Sequence, residues 1–492
     1  MSVVQVAPQR PPAVAKTGLF TRLLALLISA SLAFTPSALA QPRGISLIRD
    51  AEIERVLRSY IDPIVTAAGL SPSSVKLYLV NDDALNAFVA GGQNIFINTG
   101  MIMTLETPNQ LKGVIAHETG HIAGGHLVRG PEAYEKVQTP MFVTMLLGVA
   151  AFAAGAPDLG AALLMGSTQV AQRQILAYSR TQESAADQAG VAYMTTIKQS
   201  PQGMLEVFEK FADQEILSGR KLDPYARSHP LSRERVAALT DLSERSPYRE
   251  VKDSPAEQLA YDLMKGKLRG FLERGDVTLR RYPHKDKSMP ARYARAVAYF
   301  RGADLDRAMI EIDALLAERP DYPYFWELKG QVYVESSRPK EGIAPYRKAA
   351  ALAPGEPLIQ ASLGAALVAT EDANNLKEAV SVLRATLHKE PANAMAWYHL
   401  ASAYERLGQE GQAQLATAER YFAIGGMKQA VQFAGRALPK LKESTPEWLR
   451  ARDIMTSGKD GADQEIEKEK EQEPRPKPNI PEQSRRVPLF SF

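Results

Sequence analysis

The chain has 492 residues, a formal net charge of +3 and no cysteine. A single hydrophobic core stops growing near about 250–300 residues, so this length predicts two or three domains. The small charge and the lack of a long basic stripe exclude nucleic-acid binding that depends on neutralising phosphates. Without cysteine the protein forms no disulfide and lacks the acceptor residue of a lipoprotein.

Residues 1–40 have the pattern of a cleavable signal peptide. Basic residues precede the apolar run LLALLISASLAF, and Ala38 and Ala40 then supply the small side chains that signal peptidase accepts. The apolar run is shorter than the ~20 residues of a membrane-spanning helix, which favours cleavage after Ala40 over an uncleaved anchor. We therefore expect export to the periplasm, with membrane association as a further option.

Residues 41–250 are expected to form an α+β domain with a small β-sheet. The stretch VKLYLV (75–80) alternates like a strand, and NAFVAGGQNIFIN (86–98) predicts a hairpin that turns at its paired glycines. The sequence TPNQ (107–110) then supplies an N-cap threonine, a proline in the first turn and a glutamine positioned to close a capping box. A helix therefore begins here.

This helix contains the motif His-Glu-x-x-His, formed by His117, Glu118 and His121. Residues four apart share a helix face, so the two imidazoles can converge on one metal ion while Glu118 points toward the open side of that ion. Zinc lowers the pKa of water toward about 7, and a neighbouring carboxylate can accept the released proton. The motif therefore predicts a zinc-dependent hydrolase.

A catalytic zinc ion takes three protein ligands. His126 misses the third histidine of the longer pattern H-E-x-x-H-x-x-G-x-x-H by one residue, because position 127 is leucine, so we predict that it lies beside the ligands. Glu183 is the better third ligand. Asp187, four residues later on the same predicted helix face, is suited to accept the far N–H of a zinc-binding histidine.

The stretch SHPLSRERV adds His229 and Arg235 downstream of the predicted ligands. A histidine stiffened by Pro230 has two candidate roles at the metal, as a hydrogen-bond donor to the oxyanion or as an inhibitory group in the open position of zinc. The ordinary alternative is a surface histidine that caps a turn. Arg235 is predicted to support the ligands from outside.

From residue 291 to 440 a unit of about 34 residues recurs, which indicates tetratricopeptide (TPR) repeats. Two copies are clear, a three-residue insertion follows, and the last unit is degenerate. Such an array predicts an α-solenoid whose concave face is free for a partner. Residues 251–290 are expected to be linker helices, and the C-terminal segment 441–492 is expected to be disordered after about residue 456.

An apolar stretch at 141–166 is interrupted by Ala-Pro-Asp, so each half is too short to cross a bilayer. It is predicted to be a buried helical hairpin near the zinc site. The alternative is an element that covers the active site or touches the membrane peripherally.

Four features together resemble the zinc metallopeptidase family that includes the CAAX prenyl endopeptidases. They are NAFVAGG, HETGH with a histidine shortly after it, the Glu183–Asp187 pair and the His-Pro stretch. The resemblance implies one Zn²⁺ per chain held by His117, His121 and Glu183, with Glu118 as the base and His229 close to the metal. It further implies quality control of outer-membrane proteins, with the TPR array docking onto protein substrates or the outer-membrane assembly machinery.

The predicted fold class is thus mainly α, an α+β peptidase domain followed by an α-solenoid of TPR repeats. The leading functional prediction is a zinc metalloendopeptidase. The competing class is a chaperone or scaffold for outer-membrane protein assembly, in which the TPR groove acts and the zinc site is shut.

Overall fold

The computed structural model describes residues 46–126, 179–218, 229 and 232–472, without the side chains of 212–218 and 460–472. Within these ranges the chain is mainly helical with one four-stranded sheet, which confirms the predicted fold class. The first elements are β1 (Leu47–Ile48), α1 (Ala51–Ala67), β2 (Lys76–Val80), β3 (Ala87–Ala90), β4 (Asn94–Asn98), α2 (Thr99–Thr104), α3 (Pro108–Ala123), α4 (179–196), α5 (Gln202–Ser218) and α6 (Arg233–Glu244).

A second series of helices follows. It comprises α7 (Pro255–Leu272), α8 (Gly275–Arg281), α9 (Met289–Arg301), α10 (Leu305–Glu318), α11 (Pro323–Glu335), α12 (Pro339–Leu352), α13 (Pro357–Ala369), α14 (Ala373–Lys389), α15 (Ala394–Arg406), α16 (Glu410–Ala423), α17 (Met427–Ala437), a 3₁₀ turn (Leu438–Lys440) and α18 (Pro446–Gln472).

The sheet has the strand order β1-β2-β4-β3 and mixes parallel and antiparallel pairs. The predicted hairpin is present, because β3 pairs antiparallel with β4 and Ala87 lies opposite Ile97. Gly91 and Gly92 in its turn have φ values of 58° and 99°, a region that glycine enters without a steric penalty. Ile97 is buried in the same apolar core as residues of α1 and α3, so one face of the sheet supports the helix that carries the motif.

Helix α3 begins where the sequence predicts. The Thr107 side chain accepts a hydrogen bond from the backbone N–H of Gln110 at 3.2 Å. The capping box does not close, however, because Gln110 Oε1 accepts the N–H of Glu106 at 2.8 Å. Gln110 Nε2 donates to Glu206 on α5 at 2.9 Å, so a tertiary partner holds this side chain in addition to the local one.

Helix α3 packs closely against α4 and α5 at two glycines. A Cβ atom on Gly120 would lie 2.9 Å from the Cα of Ala186, and one on Gly113 would lie 2.7 Å from the Cα of Met204. Neither separation leaves room for a methyl group next to backbone atoms. The small residues therefore bring α4, with Glu183, against the face of α3 that carries the histidines.

The TPR helices follow one another in pairs. Helices α11 and α13 begin at Pro323 and Pro357, one repeat apart, and both contain a glycine on which the second helix of the pair packs. Helix α14 has 17 residues, whereas its counterpart α12 has 14. The three-residue insertion is thus absorbed as a longer second helix.

The TPR array contacts α1 of the sheet domain. Glu52 at the start of α1 is fully buried. It accepts the hydroxyl groups of Tyr293 and Tyr322, both at 2.7 Å, and Lys267 Nζ lies 3.3 Å away. The array and the sheet domain therefore share a buried polar contact.

Helix α7 lies in the region predicted as linker helices and is part of the core. Tyr261, Met264 and Leu268 are buried with the sheet domain, and the Tyr261 hydroxyl donates to the carbonyl of Ile102 at 2.9 Å. On the other side, Leu263 joins the first TPR core. The helix thus connects the two cores directly.

The predicted disorder after about residue 456 is corrected as far as Gln472, because α18 extends to that residue. The segment is rich in glutamate, lysine and glutamine, which are good helix formers. The predicted signal peptide (1–40), the apolar segment 141–166 and residues 473–492 lie outside the described residues. Among the helices that are described, none combines the length and hydropathy needed to cross a membrane.

Candidate metal centre

Two helices supply four of the polar groups of the site. His117 and His121 lie one turn apart on α3, and both are buried. Glu183 and Asp187 lie one turn apart on α4 and are buried as well, at 5% and 4% exposure. Ionisable side chains in an apolar core need polar partners, so the burial of these four side chains together indicates a functional site.

Four atoms in this cluster are arranged as ligands of one ion would be. His117 Nε2 lies 3.1 Å from His121 Nε2 and 3.4 Å from a Glu183 oxygen. His229 Nδ1 is 3.2 Å from His117 Nε2 and 3.1 Å from Glu183 Oε2. Zinc–ligand bonds of about 2.0–2.1 Å in a tetrahedron place ligand atoms roughly 3.3 Å apart. The set therefore fits a tetrahedral zinc ion.

The outer nitrogens of the two α3 histidines have their own partners. Asp187 Oδ1 lies 2.9 Å from His117 Nδ1, as the sequence predicts, and this fixes the hydrogen of His117 on Nδ1. His126 Nδ1 lies 2.9 Å from His121 Nδ1, so His126 contacts a predicted ligand from outside. With the hydrogen on His121 Nδ1, both Nε2 atoms present lone pairs to the same point, which is the form that binds a metal ion.

The electrostatics of the cluster favour one shared cation. Burial would lower the pKa of His117, but hydrogen bonds to Asp187 and Glu183 raise it to about 9. Burial and the neighbouring charge of His117 together lower the pKa of His121 to about 2. The two rings therefore cannot both be in the cationic imidazolium form at neutral pH, whereas a single divalent ion satisfies both rings and the carboxylate.

Glu118 is placed differently from the ligands. Both carboxylate oxygens are buried, and neither accepts a hydrogen bond from the described residues, although His229 Nε2 lies 3.4 Å from Oε1. Burial raises the pKa of Glu118 above its usual range, while the cationic forms of His229 and His117 oppose the shift. A buried carboxyl with a raised pKa next to a metal site is suited to proton transfer.

Arg235 holds the Asp187 carboxylate in place, in the supporting position that the sequence predicts. Its Nε and Nη2 atoms each donate to Asp187 at 2.8 Å, and Nη1 lies 3.1 Å from Glu183 Oε2. The planar guanidinium thus bridges the partner of His117 and the predicted third ligand.

Phe208 belongs to the site although its sequence pattern does not reveal it. The ring is fully buried, lies edge-on to His117 at 5.7 Å between centroids, and packs under the Arg235 guanidinium at 5.1 Å. In the sequence it is one apolar position of an amphipathic helix, and such positions normally indicate only core packing. Its role depends on which helices face α5.

The arrangement defines a metallopeptidase, with a histidine pair, a carboxylate and a separate buried base around one metal position. Residues 48–243 match the family described as peptidase family M48, and residues 302–426 match a tetratricopeptide repeat family. The chain therefore carries an M48 zinc metallopeptidase domain followed by a TPR region.

Curated relatives extend this similarity over most of the chain. The beta-barrel assembly-enhancing protease of Yersinia pestis is 25% identical over 412 residues, which cover 82% of this chain and 83% of that protein. The protein of the same name from Escherichia coli K12 is 24% identical over 407 residues, covering 80% and 81%. The mitochondrial metalloendopeptidase OMA1 of Schizosaccharomyces pombe is 27% identical over 202 residues, covering 41% and 55%.

These matches correct one expectation from the sequence. They support peptidase family M48 and a distant relationship to the beta-barrel assembly-enhancing proteases, but not the naming after the CAAX prenyl endopeptidases. The motif stretches that suggested that naming belong to the peptidase domain, so they carry no information about a prenylated substrate.

Proposed function

We propose that the protein is a zinc-dependent endopeptidase that uses His117, His121 and Glu183 as metal ligands and Glu118 as general base. The observation that carries this proposal is the convergence of both Nε2 atoms and the Glu183 carboxylate at separations of 3.1–3.5 Å. Among the described residues, none donates a hydrogen bond to the buried Glu118 carboxyl beside them.

The residues divide the chemistry between them. A bound zinc ion supplies Lewis acidity, which polarises a peptide carbonyl and makes water more acidic. Glu118 Oε accepts the proton of the attacking water and then delivers it to the nitrogen of the leaving amine. Asp187 keeps the His117 ring in the required tautomer, and Arg235 keeps Asp187 in place through two hydrogen bonds of 2.8 Å.

A second candidate function rests on the position of His229. Its Nδ1 atom lies where a fourth metal ligand would be, 3.2 Å from His117 Nε2 and 3.1 Å from Glu183 Oε2. A ring bound there would occupy the position that water needs, so the site would stay shut until the histidine moved. If His229 blocked the site permanently, the protein would act only as a TPR chaperone or scaffold. If His229 can move away, the protein is a protease whose activity is restrained.

For substrate and location we propose a periplasmic role in removing misfolded or misassembled outer-membrane proteins. The signal-peptide pattern of residues 1–40 supports export. The relatives named beta-barrel assembly-enhancing protease span about four fifths of the chain, including both the peptidase and the TPR regions. Docking of the TPR region onto the outer-membrane assembly machinery belongs to the same proposal.

The test compares Glu118→Gln with wild type in zinc content and in digestion of casein and of an unfolded barrel protein. The amide keeps the shape and removes the base, so zinc should stay at one per chain while cleavage falls by about 10²–10⁴. Glu106→Gln, an exposed glutamate just before the same helix, serves as the matched control. If the wild-type protein binds zinc but cleaves neither substrate, the scaffold function is favoured. If Glu118→Gln cleaves at the wild-type rate, Glu118 is not the base.

A further inference from the structure

A cavity of about 620 Å³ lies where the TPR array meets the sheet domain. Its walls come from β1 and the start of α1, from α7, from the first helices of three successive repeats, α11, α13 and α15, and from α12. Apolar side chains line much of it, among them Ile48, Leu328, Tyr346 and Leu358. The cavity is separate from the metal centre, which lies between α3 and α4.

The charges around this cavity are unbalanced. Lys267 and Arg49 are the two lysine or arginine side chains that line it. Lys267 Nζ already lies 2.7 Å from Asp50 and 3.3 Å from Glu52. Arg49 lies 2.6 Å from both Glu54 and Glu390. Each cation thus faces two carboxyl groups, and two further acidic side chains, Glu327 and Glu335, line the cavity as well.

Glu327 is the acidic group whose hydrogen bonding is least satisfied. The residue is half-buried, its Oε2 atom is buried, and that atom accepts no hydrogen bond from the described residues. Burial raises the pKa of Glu327 to about 7, and the charge of Lys267 only partly offsets this. A buried carboxyl oxygen without a donor is costly, so a ligand that brings a cationic donor would be favoured here.

We propose that this cavity binds a basic side chain, arginine or lysine, of a polypeptide that docks on the TPR array. The head group would donate to Glu327 and reduce the negative excess, and the aliphatic stem would lie on Ile48, Leu328 and Leu358. This inference deepens the proposed function and rests on it in one respect, because it takes the ligand to be a polypeptide substrate or partner.

The experiment measures binding in the full chain carrying Glu118→Gln, so that the probe is not cut. Two fluorescein-labelled unstructured peptides differ only at a central position, which is arginine in one and citrulline in the other. Citrulline keeps the shape and removes the charge. A second pair carries lysine or acetyl-lysine at the same position. Fluorescence anisotropy at 0.15 M salt gives the Kd values, and we expect the charged peptide of each pair to bind about tenfold to a hundredfold more tightly.

Two further substitutions connect this preference to the cavity. Glu327→Gln should reduce the ratio of citrulline to arginine Kd values to near one, while Glu318→Gln, an exposed glutamate on α10 outside the cavity, should leave it unchanged. Ala365→Leu, which adds volume at the cavity wall, should weaken binding of both peptides. A ratio is insensitive to the fraction of folded protein, so partial unfolding of a variant would not imitate the result.

Equal binding of arginine and citrulline peptides by the Glu118→Gln protein would overturn the inference. The same holds if Glu327→Gln keeps the full preference, or if Glu318→Gln loses as much of it. Casein digestion by the protein with intact Glu118 is scored separately. Normal casein digestion together with equal binding of the two peptides would reject the basic-side-chain site and support the proposed peptidase function. Selective peptide binding without casein digestion would support the site and reject the peptidase function.

Discussion

Asp187→Asn is expected to weaken zinc binding and to destabilise the metal-free protein. Asp187 Oδ1 lies 2.9 Å from His117 Nδ1 and 2.8 Å from Arg235 Nη2, and Oδ2 lies 2.8 Å from Arg235 Nε. An amide has only one oxygen, so its NH₂ group must face either the Arg235 Nε–H or the His117 Nδ1–H. With the NH₂ group facing Arg235 Nε–H, one hydrogen bond becomes a contact between two donors; with it in the Oδ1 position, the bonds from both His117 Nδ1–H and Arg235 Nη2–H are lost, so at least one bond is lost in either orientation.

The magnitude follows from those contacts. One hydrogen bond to a charged group contributes about 1.5–3 kcal/mol, and Arg235 is only 5% exposed, so water cannot replace the lost acceptor easily. The free energy of unfolding without metal should fall by about that amount. Loss of the carboxylate behind a metal-binding histidine commonly costs about 10–100-fold in metal affinity. This corresponds to about 1.4–2.7 kcal/mol.

Two assays separate the effects. Competition with a chromophoric zinc chelator gives the Kd for zinc, and urea unfolding in EDTA gives the stability of the metal-free protein. Asp241→Asn is the control, because Asp241 is an exposed aspartate of α6 that pairs with Arg245 at 2.7 Å, and such pairs contribute less than about 1 kcal/mol. A zinc affinity for Asp187→Asn within threefold of wild type would refute the reasoning that Asp187 orients His117.

Three further substitutions test other parts of the structure. His121→Ala should lose zinc on dialysis against a weak chelator, and full retention measured by atomic absorption would exclude it as a ligand. His229→Ala should raise casein cleavage at matched zinc content, since the ring then no longer blocks the site; a fall in kcat of about 10²–10³ would indicate oxyanion stabilisation instead. Glu52→Ala should lower the free energy of unfolding in urea by about 3–5 kcal/mol, because it leaves Lys267 buried beside one carboxylate fewer. The partly exposed Glu54→Ala is its control, and equal small losses would show that the buried carboxylate does not stabilise the junction.

Local patterns in the sequence predict much of the fold. The hairpin at Gly91 and Gly92 follows from glycine conformational freedom, and the start of α3 follows from capping by Thr107. The repeat of about 34 residues indicates paired helices because each pair cannot bury its apolar face alone. These features depend on neighbours within one turn or one repeat, which is why a single sequence is sufficient to predict them.

The tail shows the limit of such reasoning for local structure. Low hydropathy and balanced charge after residue 456 predict disorder, yet α18 extends to Gln472. The same residues are also good helix formers, and the first turns of the helix are anchored by buried Ala451 and Ile454 in the last TPR core. Composition alone could not decide between these two tendencies.

For the metal centre, the sequence by itself determined the pairings that a helix imposes: His117 with His121, and Glu183 with Asp187, each four residues apart on one face. Only the tertiary structure decided that α3 and α4 approach closely enough for these pairs to meet. It also placed His229 as a potential fourth metal ligand beside His117, 112 residues earlier in the chain, and Phe208 beneath Arg235. Contacts between residues distant in sequence depend on how helices pack, and packing is set by the shapes of many side chains at once, which no local spacing records.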